Sequence, residues 1–146
     1  KPLGDYTFGE NAMSYLVKMN ELCKENGVEL ILVKAPSLYP YWYDEWEEQV
    51  EVFAKENDLK YYNFLKATDE IGLDFTEDTY DAGLHLNLSG AEKLSRYFGR
   101  ILSEECGIES RRGDAALEAE WDVKRQAYEA DRDAQYAALA ETDGQP

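Results

Sequence analysis

The chain has 146 residues, which is enough for one ordinary globular domain with an appendage but too few for two full domains. Hydrophobic residues make up 44% and aromatic residues 13% of the sequence, so the composition excludes an intrinsically disordered chain. The formal net charge of −16 disfavours nucleic acids and anionic membrane surfaces as partners, because both bind proteins through Lys and Arg. No apolar window approaches the roughly 20 residues of a transmembrane helix, so no membrane span is predicted.

The first half of the chain alternates helical and strand patterns. Apolar residues recur with helical spacing over residues 12–23, and the run 28–33 predicts a short strand that is buried on both faces. A second helical face lies between Asp44 and Asn57, and residues 61–64 form the next strand pattern. Asp44 with Glu47 has the spacing of residues that cap a helix. This alternation predicts a parallel sheet with helices on its faces.

The second half of the chain begins with a polar loop over residues 66–88, which is longer than a connection needs to be and therefore favours a functional role. A last helix of the domain follows, with Ser89 and Glu92 as its predicted cap. The sequence thus predicts an α/β part over residues 1–108, and a hinge with an acidic, Ala-rich helical tail over residues 109–146. A thin apolar stripe suits either an exposed helix or an interaction helix; its members are Leu117, Trp121, Tyr128 and Leu139.

Catalytic chemistry is indicated at one place, the segment of residues 81–87. In an open α/β sheet, ligands bind beyond the carboxyl ends of the strands, and the loop before the last helix starts from that edge. His85 has the chemistry of a general base near neutral pH, and Asp81 could hold the imidazole in the required tautomer. The alternative is a hydrogen-bonded surface histidine, which is the commoner state of a His beside an Asp in a loop.

This segment resembles the closing block of the SGNH or GDSL-like hydrolases and their acyltransferase relatives, an Asp and a His before the final helix. The matching residues are Asp81, His85, Leu86-Asn87 and Gly90-Ala91, and residues 28–36 and 61–64 are similar to the last two strands of that fold. The resemblance covers about residues 6–107 and implies the C-terminal portion of an α/β, three-layer flavodoxin-like parallel sheet, followed here by the helical tail.

By that resemblance, His85 would be the base that activates a serine, and Asp81 would orient it. The implied chemistry is hydrolysis or transfer of an acyl ester on a small-molecule, carbohydrate or cell-envelope substrate, with neither a metal nor an organic cofactor. The resemblance also implies a location outside the cytoplasm or in the cell envelope.

Two departures from the family pattern stand out. Three residues separate Asp81 from His85 where the family has two, which makes Asp78 the nearest substitute for the orienting carboxylate. The Gly-Asp-Ser nucleophile block is absent, since Gly4-Asp5 is followed by Tyr6, and the oxyanion-hole blocks are absent too. We therefore expect an upstream part of the same protein to supply the serine, and this chain alone to be inactive.

Five residues are candidates for binding the substrate: Ser37, Tyr39, Tyr41, Trp42 and Asn87. Ser37 follows the first strand, and a turn residue that lines the pocket is favoured over a nucleophile because no Gly-flanked elbow surrounds it. The aromatic loop of residues 39–46 could stack on a sugar ring or an acyl chain, or pack on the core as a lid. The rival hypotheses are a non-catalytic SGNH-like binding or scaffold module, and an interaction domain that uses the C-terminal helix.

Overall fold

The structure, a computed structural model, describes residues 3–143, with side chains up to residue 137. The elements within that range are α1 (Glu10–Glu25), β1 (Ile31–Lys34), α2 (Asp44–Glu56), β2 (Lys60–Asn63), α3 (Thr68–Ile71), α4 (Leu88–Glu104) and α5 (Ala115–Asp143). The chain divides into two compact units, Lys1–Leu94 and Ser95–Pro146. The predicted boundary between residues 108 and 109 lies inside the second unit, and the predicted stripe residue Leu139 and residues 144–146 lie outside what is described.

The two strands pair in parallel, with Ile31 opposite Lys60 and Lys34 opposite Asn63. The predictions of two short strands and of their parallel pairing are confirmed, although β1 starts later than predicted and leaves residues 28–30 unpaired. Helix α2 connects the strands, as a parallel crossover requires. The carboxyl ends of β1 and β2 therefore lie at one edge of the sheet.

The predicted three-layer, flavodoxin-like sheet is wrong. Over residues 3–143 the chain is mostly helical, and the sheet has only two strands of four residues each. Residues 66–87 contribute α3, turns and one isolated bridge instead of a third strand. The run 28–33 was predicted to be buried on both faces, but this is wrong, because Val28 and Val33 are 55% and 50% exposed.

The first unit has a small core, to which α2 contributes Phe53 and Ala54 where it packs against β2, and Phe64 and Ile71 are also buried. The predicted apolar face of α1 is largely exposed, with Tyr15 at 67%. Among the described residues, no helix has the length and apolarity that a membrane crossing requires.

The helices begin differently from the predicted capping pattern. Asp44 is already inside α2, whose N-cap is Tyr43 without a side-chain hydrogen bond. Ser89 is likewise inside α4, and the Asn87 side-chain oxygen accepts the Gly90 N–H at 3.1 Å. Both predicted caps are wrong, because a capping residue stands outside the helical backbone that it caps.

Candidate active site around Asp81 and His85

A hairpin-like loop presents the predicted catalytic pair. Thr79 and Leu86 form an isolated antiparallel bridge. The Tyr80 N–H donates to the His85 carbonyl at 3.1 Å on one side of that bridge, and the Asn87 N–H donates to the Asp78 carbonyl at 2.9 Å on the other. These bonds close residues 81–84 into a tight turn.

The structure brings Asp81 and His85 together within that turn. Asp81 Oδ2 and His85 Nδ1 are 2.7 Å apart. Asp81 Oδ1 accepts the backbone N–H of His85 at 2.7 Å and that of Leu84 at 3.1 Å. The hydrogen bond from the His85 ring, supported by the backbone N–H groups, holds the pKa of Asp81 below its usual value. An ionised carboxylate is thus fixed against one ring nitrogen.

The extra residue between Asp81 and His85 is accommodated by an unusual backbone. Ala82 has φ 55° and Gly83 has φ 101°, so two consecutive residues lie in the left-handed half of conformational space. This turn leaves the Asp81 carboxylate within hydrogen-bonding distance of the His85 ring. The departure from the family spacing therefore does not separate the acid from the base.

Asp78, the substitute acid, has a different environment. Its side chain is 1% exposed, and its Oδ2 accepts Lys93 Nζ at 2.6 Å and the Asp74 N–H at 2.8 Å. Burial by itself would raise the pKa of Asp78, but the Lys93 hydrogen bond and the Asp74 N–H outweigh that effect and hold it below the usual value. Asp78 thus joins the loop to α4.

The imidazole of His85 is oriented and open to solvent. An ionised carboxylate only accepts hydrogen bonds, so a neutral imidazole bonded to Asp81 carries its proton on Nδ1 and has its lone pair on Nε2. The His85 side chain is 70% exposed and that of Asp81 is 40% exposed. Nε2 is consequently accessible to a hydroxyl group brought from outside the loop.

Ser37 does not act as the partner of His85 in this structure. Its Oγ donates to the Tyr39 carbonyl at 2.6 Å, and its N–H donates to the Ala35 carbonyl at 2.8 Å. Among the described residues, no hydrogen bond joins Ser37 to His85. This geometry is that of a turn residue, and it gives the nucleophile alternative no support.

The loop after β1 nevertheless touches the His85 loop. The Leu38 N–H donates to the Gly83 carbonyl at 2.8 Å. A Cβ atom on Gly83 would lie 2.5 Å from Leu38 Cδ1, so the two loops are in close contact at this glycine. The pair Asp81–His85 and the turn at Ser37 therefore belong to one surface.

The aromatic loop divides into a packed part and an exposed part. Trp42 and Trp46 lie 5.7 Å apart between ring centroids, and Phe8 lies 6.0 Å from Trp46. Tyr39 and Tyr41, in contrast, are 59% and 68% exposed. The lid interpretation suits Trp42, whereas the two tyrosines present their rings to solvent.

Sequence reasoning missed the role of Glu47, which is 4% exposed and lies at the centre of a polar network. Its Oε2 accepts Trp42 Nε1 at 2.6 Å, Tyr61 OH at 2.8 Å and Asn63 Nδ2 at 2.7 Å, while Lys66 Nζ is 2.9 Å from Oε1. Burial alone would raise the pKa of Glu47, but these donors hold it below the usual value. Burial and the Glu47 carboxylate raise the pKa of Tyr61. Glu47 thus ties the aromatic loop to β2.

Asn87, a predicted substrate ligand, uses its amide within the loop. Its Nδ2 donates to the Glu77 carbonyl at 2.6 Å, and its Oδ1 accepts the Gly90 N–H at the start of α4. These bonds give the side chain a structural role, and substrate binding by Asn87 stays a prediction. Throughout the described range, no group of three or more His, Cys, Asp or Glu side chains is arranged to hold a metal ion.

Comparison with protein-family models, with curated proteins and with solved structures gave no match to this chain. The resemblance to the SGNH hydrolases therefore rests on the sequence alone, on the segment 81–91 with support from residues 28–36 and 61–64.

Proposed function

We propose that this chain carries the acid–base part of a serine-dependent acyl-ester hydrolase or acyltransferase. The observation that carries the proposal is the 2.7 Å contact between Asp81 Oδ2 and His85 Nδ1, which leaves an exposed Nε2. In this mechanism, Nε2 removes the proton of a serine hydroxyl as the oxygen attacks the ester carbonyl. The imidazolium, stabilised by Asp81, then protonates the leaving oxygen.

The serine is expected from another part of the same protein, because the candidate in this chain is engaged elsewhere. The Ser37 hydroxyl donates to the Tyr39 carbonyl and not to His85. Tyr39 and Tyr41 lie on the loop that contacts Gly83, which favours them as contacts for a small-molecule or carbohydrate ester. The proposal also assigns no metal and no organic cofactor to the reaction.

The proposal is tested with the full-length protein and p-nitrophenyl acetate. We expect His85→Ala to reduce turnover by about 100- to 10,000-fold, the usual contribution of a general base. The exposed side chain predicts a normal circular dichroism spectrum and a normal unfolding midpoint for this variant. Tyr15→Ala, at a similarly exposed position on α1, is the control and should retain full turnover. Wild-type turnover in His85→Ala would contradict the proposal.

An interaction module is the second candidate, and the surface of α5 favours it. Trp121 and Val123 are 59% and 69% exposed on this helix. If α5 binds a partner or a second copy of the chain, removal of residues 114–146 should change the mass measured by light scattering or the yield of a co-purified partner. An unchanged mass and partner set would count against this function.

A further inference from the structure

We infer that Tyr80 is a further substrate-contacting residue, placed beside His85 by the pairing of the loop. The inference rests on the proposed function in treating His85 as the reacting group. Thr79 and Leu86 are the bridged pair, and the Tyr80 N–H donates to the His85 carbonyl at 3.1 Å. In an antiparallel pair, Tyr80 and His85 are therefore directly opposite, with Cβ atoms about 5 Å apart and side chains on the same face.

The environments of the four paired residues agree with this alternation. Leu86 faces inward, because a Cβ atom on Gly90 would lie 3.0 Å from its Cδ2. Thr79 also faces inward, because its hydroxyl donates to the Phe75 carbonyl at 2.6 Å. Tyr80 is 73% exposed and the His85 side chain is 70% exposed. The inner face of the hairpin thus stabilises the loop, while its outer face presents Tyr80 and His85 together.

Tyr80 has no evident structural role. Among the described residues, neither its ring nor its hydroxyl has a hydrogen bond or an aromatic contact, so removal of the ring should cost little stability. A large aromatic side chain that is mostly exposed, next to an oriented imidazole, is suited to pack on a ligand. The sequence signal for it is the alternation next to the turn, with Thr79 and Leu86 inward and Tyr80 and His85 outward.

The surroundings indicate an uncharged ring as the group that Tyr80 contacts. Leu38 and Leu84, on the two loops that meet at Gly83, are 38% and 37% exposed and add apolar surface. The lysines at the end of β1 and in α4 already have protein partners. Lys34 Nζ donates to the Ala35 and Ser37 carbonyls, and Lys93 pairs with Asp78. Asp81 follows Tyr80 directly in the chain, and its carboxylate would repel an anionic group.

The test uses the single histidine of the chain, whose ring protons give one resolvable set of NMR signals. The probes are acetanilide, a stable amide analogue of an aryl ester, and cellobiose, a neutral sugar. At least one should produce a saturable shift of the His85 signals, and Tyr80→Ala should weaken that binding by about tenfold. Tyr80→Phe keeps the ring and should bind as the wild type does, and Tyr15→Ala should have no effect. The anionic 4-acetamidobenzoate should bind more weakly than acetanilide.

Several outcomes would overturn the inference. These are an absence of saturable shifts with both neutral probes, equal affinity in Tyr80→Ala and the wild type, or tighter binding of the anionic probe. Failure of the binding test can be distinguished from failure of the catalytic proposal, because binding needs no nucleophile. Ester turnover that persists in His85→Ala would remove the proposed function, whereas loss of probe binding in Tyr80→Ala concerns only the contact at Tyr80.

Discussion

Replacement of Gly83 by alanine should destabilise the first unit through two separable effects. Gly83 has φ 101°, a backbone conformation that costs a residue with a Cβ atom about 1–3 kcal/mol. The new Cβ atom would also lie 2.5 Å from Leu38 Cδ1 and 3.3 Å from Leu38 Cβ. Relief of that overlap requires the Leu38 side chain to leave its rotamer or its hydrogen-bonded loop to shift, which adds about 1–3 kcal/mol. The expected loss is therefore about 2–6 kcal/mol.

Gly72→Ala is the matched control, because it isolates the effect of the backbone. Gly72 has φ 77° and ends α3, but a Cβ atom there would meet nothing within 4 Å. We expect Gly72→Ala to cost about 1–2 kcal/mol, the penalty for a left-handed residue without crowding. The excess cost of Gly83→Ala over Gly72→Ala combines the crowding against Leu38 with the difference between the two backbone conformations.

A double-mutant cycle with Leu38→Ala tests the contact directly. Leu38→Ala removes the atoms that Cβ would meet, so the double variant should lose less stability than the sum of the single variants, by about 1–3 kcal/mol. Urea unfolding would follow the fluorescence of Trp42 and Trp46, with Trp121→Phe as the background so that the signal reports the first unit. Additive losses, or equal costs for the two glycine variants, would refute the proposed contact.

Two further predictions concern the buried carboxylates. Glu47→Gln should lower the free energy of unfolding by about 3 kcal/mol, because its three neutral donors lose a charged acceptor. The control Glu51→Gln, at a side chain that is 57% exposed, should lower it by less than about 1 kcal/mol. Folding lowers the pKa of Glu47, so the stabilisation by its carboxylate is present above the unfolded pKa of 4.5 and is lost as the pH falls through the folded pKa. In urea unfolding, the difference in stability between the wild type and Glu47→Gln should therefore shrink at low pH. A difference that stays constant with pH would contradict the assignment. Lys93→Met should lower the free energy of unfolding by about 3–5 kcal/mol, because it leaves Asp78 buried without its cation. The control Lys124→Met, in an exposed pair on α5, should lower it by less than about 1 kcal/mol. Equal unfolding midpoints for the two lysine variants would argue against the buried pair.

The sequence was most informative where the determining interactions are local. β1 is a short apolar run and β2 a short run centred on two tyrosines, with one helix between them. Such a unit pairs in parallel because a helical crossover brings the second strand back in the same direction. Asp81 and His85 belong to one turn, so their contact needs only the backbone of the residues between them. Both features follow from residue type and from spacing along the chain.

Only the tertiary structure decided the features that join distant segments. The number of strands in a sheet depends on which other strands pair at its edges. An apolar run such as residues 28–33 does not show how many such strands there are, and the predicted three-layer sheet was wrong. Glu47 fits the spacing of a cap, but its acidic side chain is buried because donors from the aromatic loop and β2 surround it. The contact between Leu38 and Gly83 likewise needs two loops folded together, since neither residue alone indicates the other.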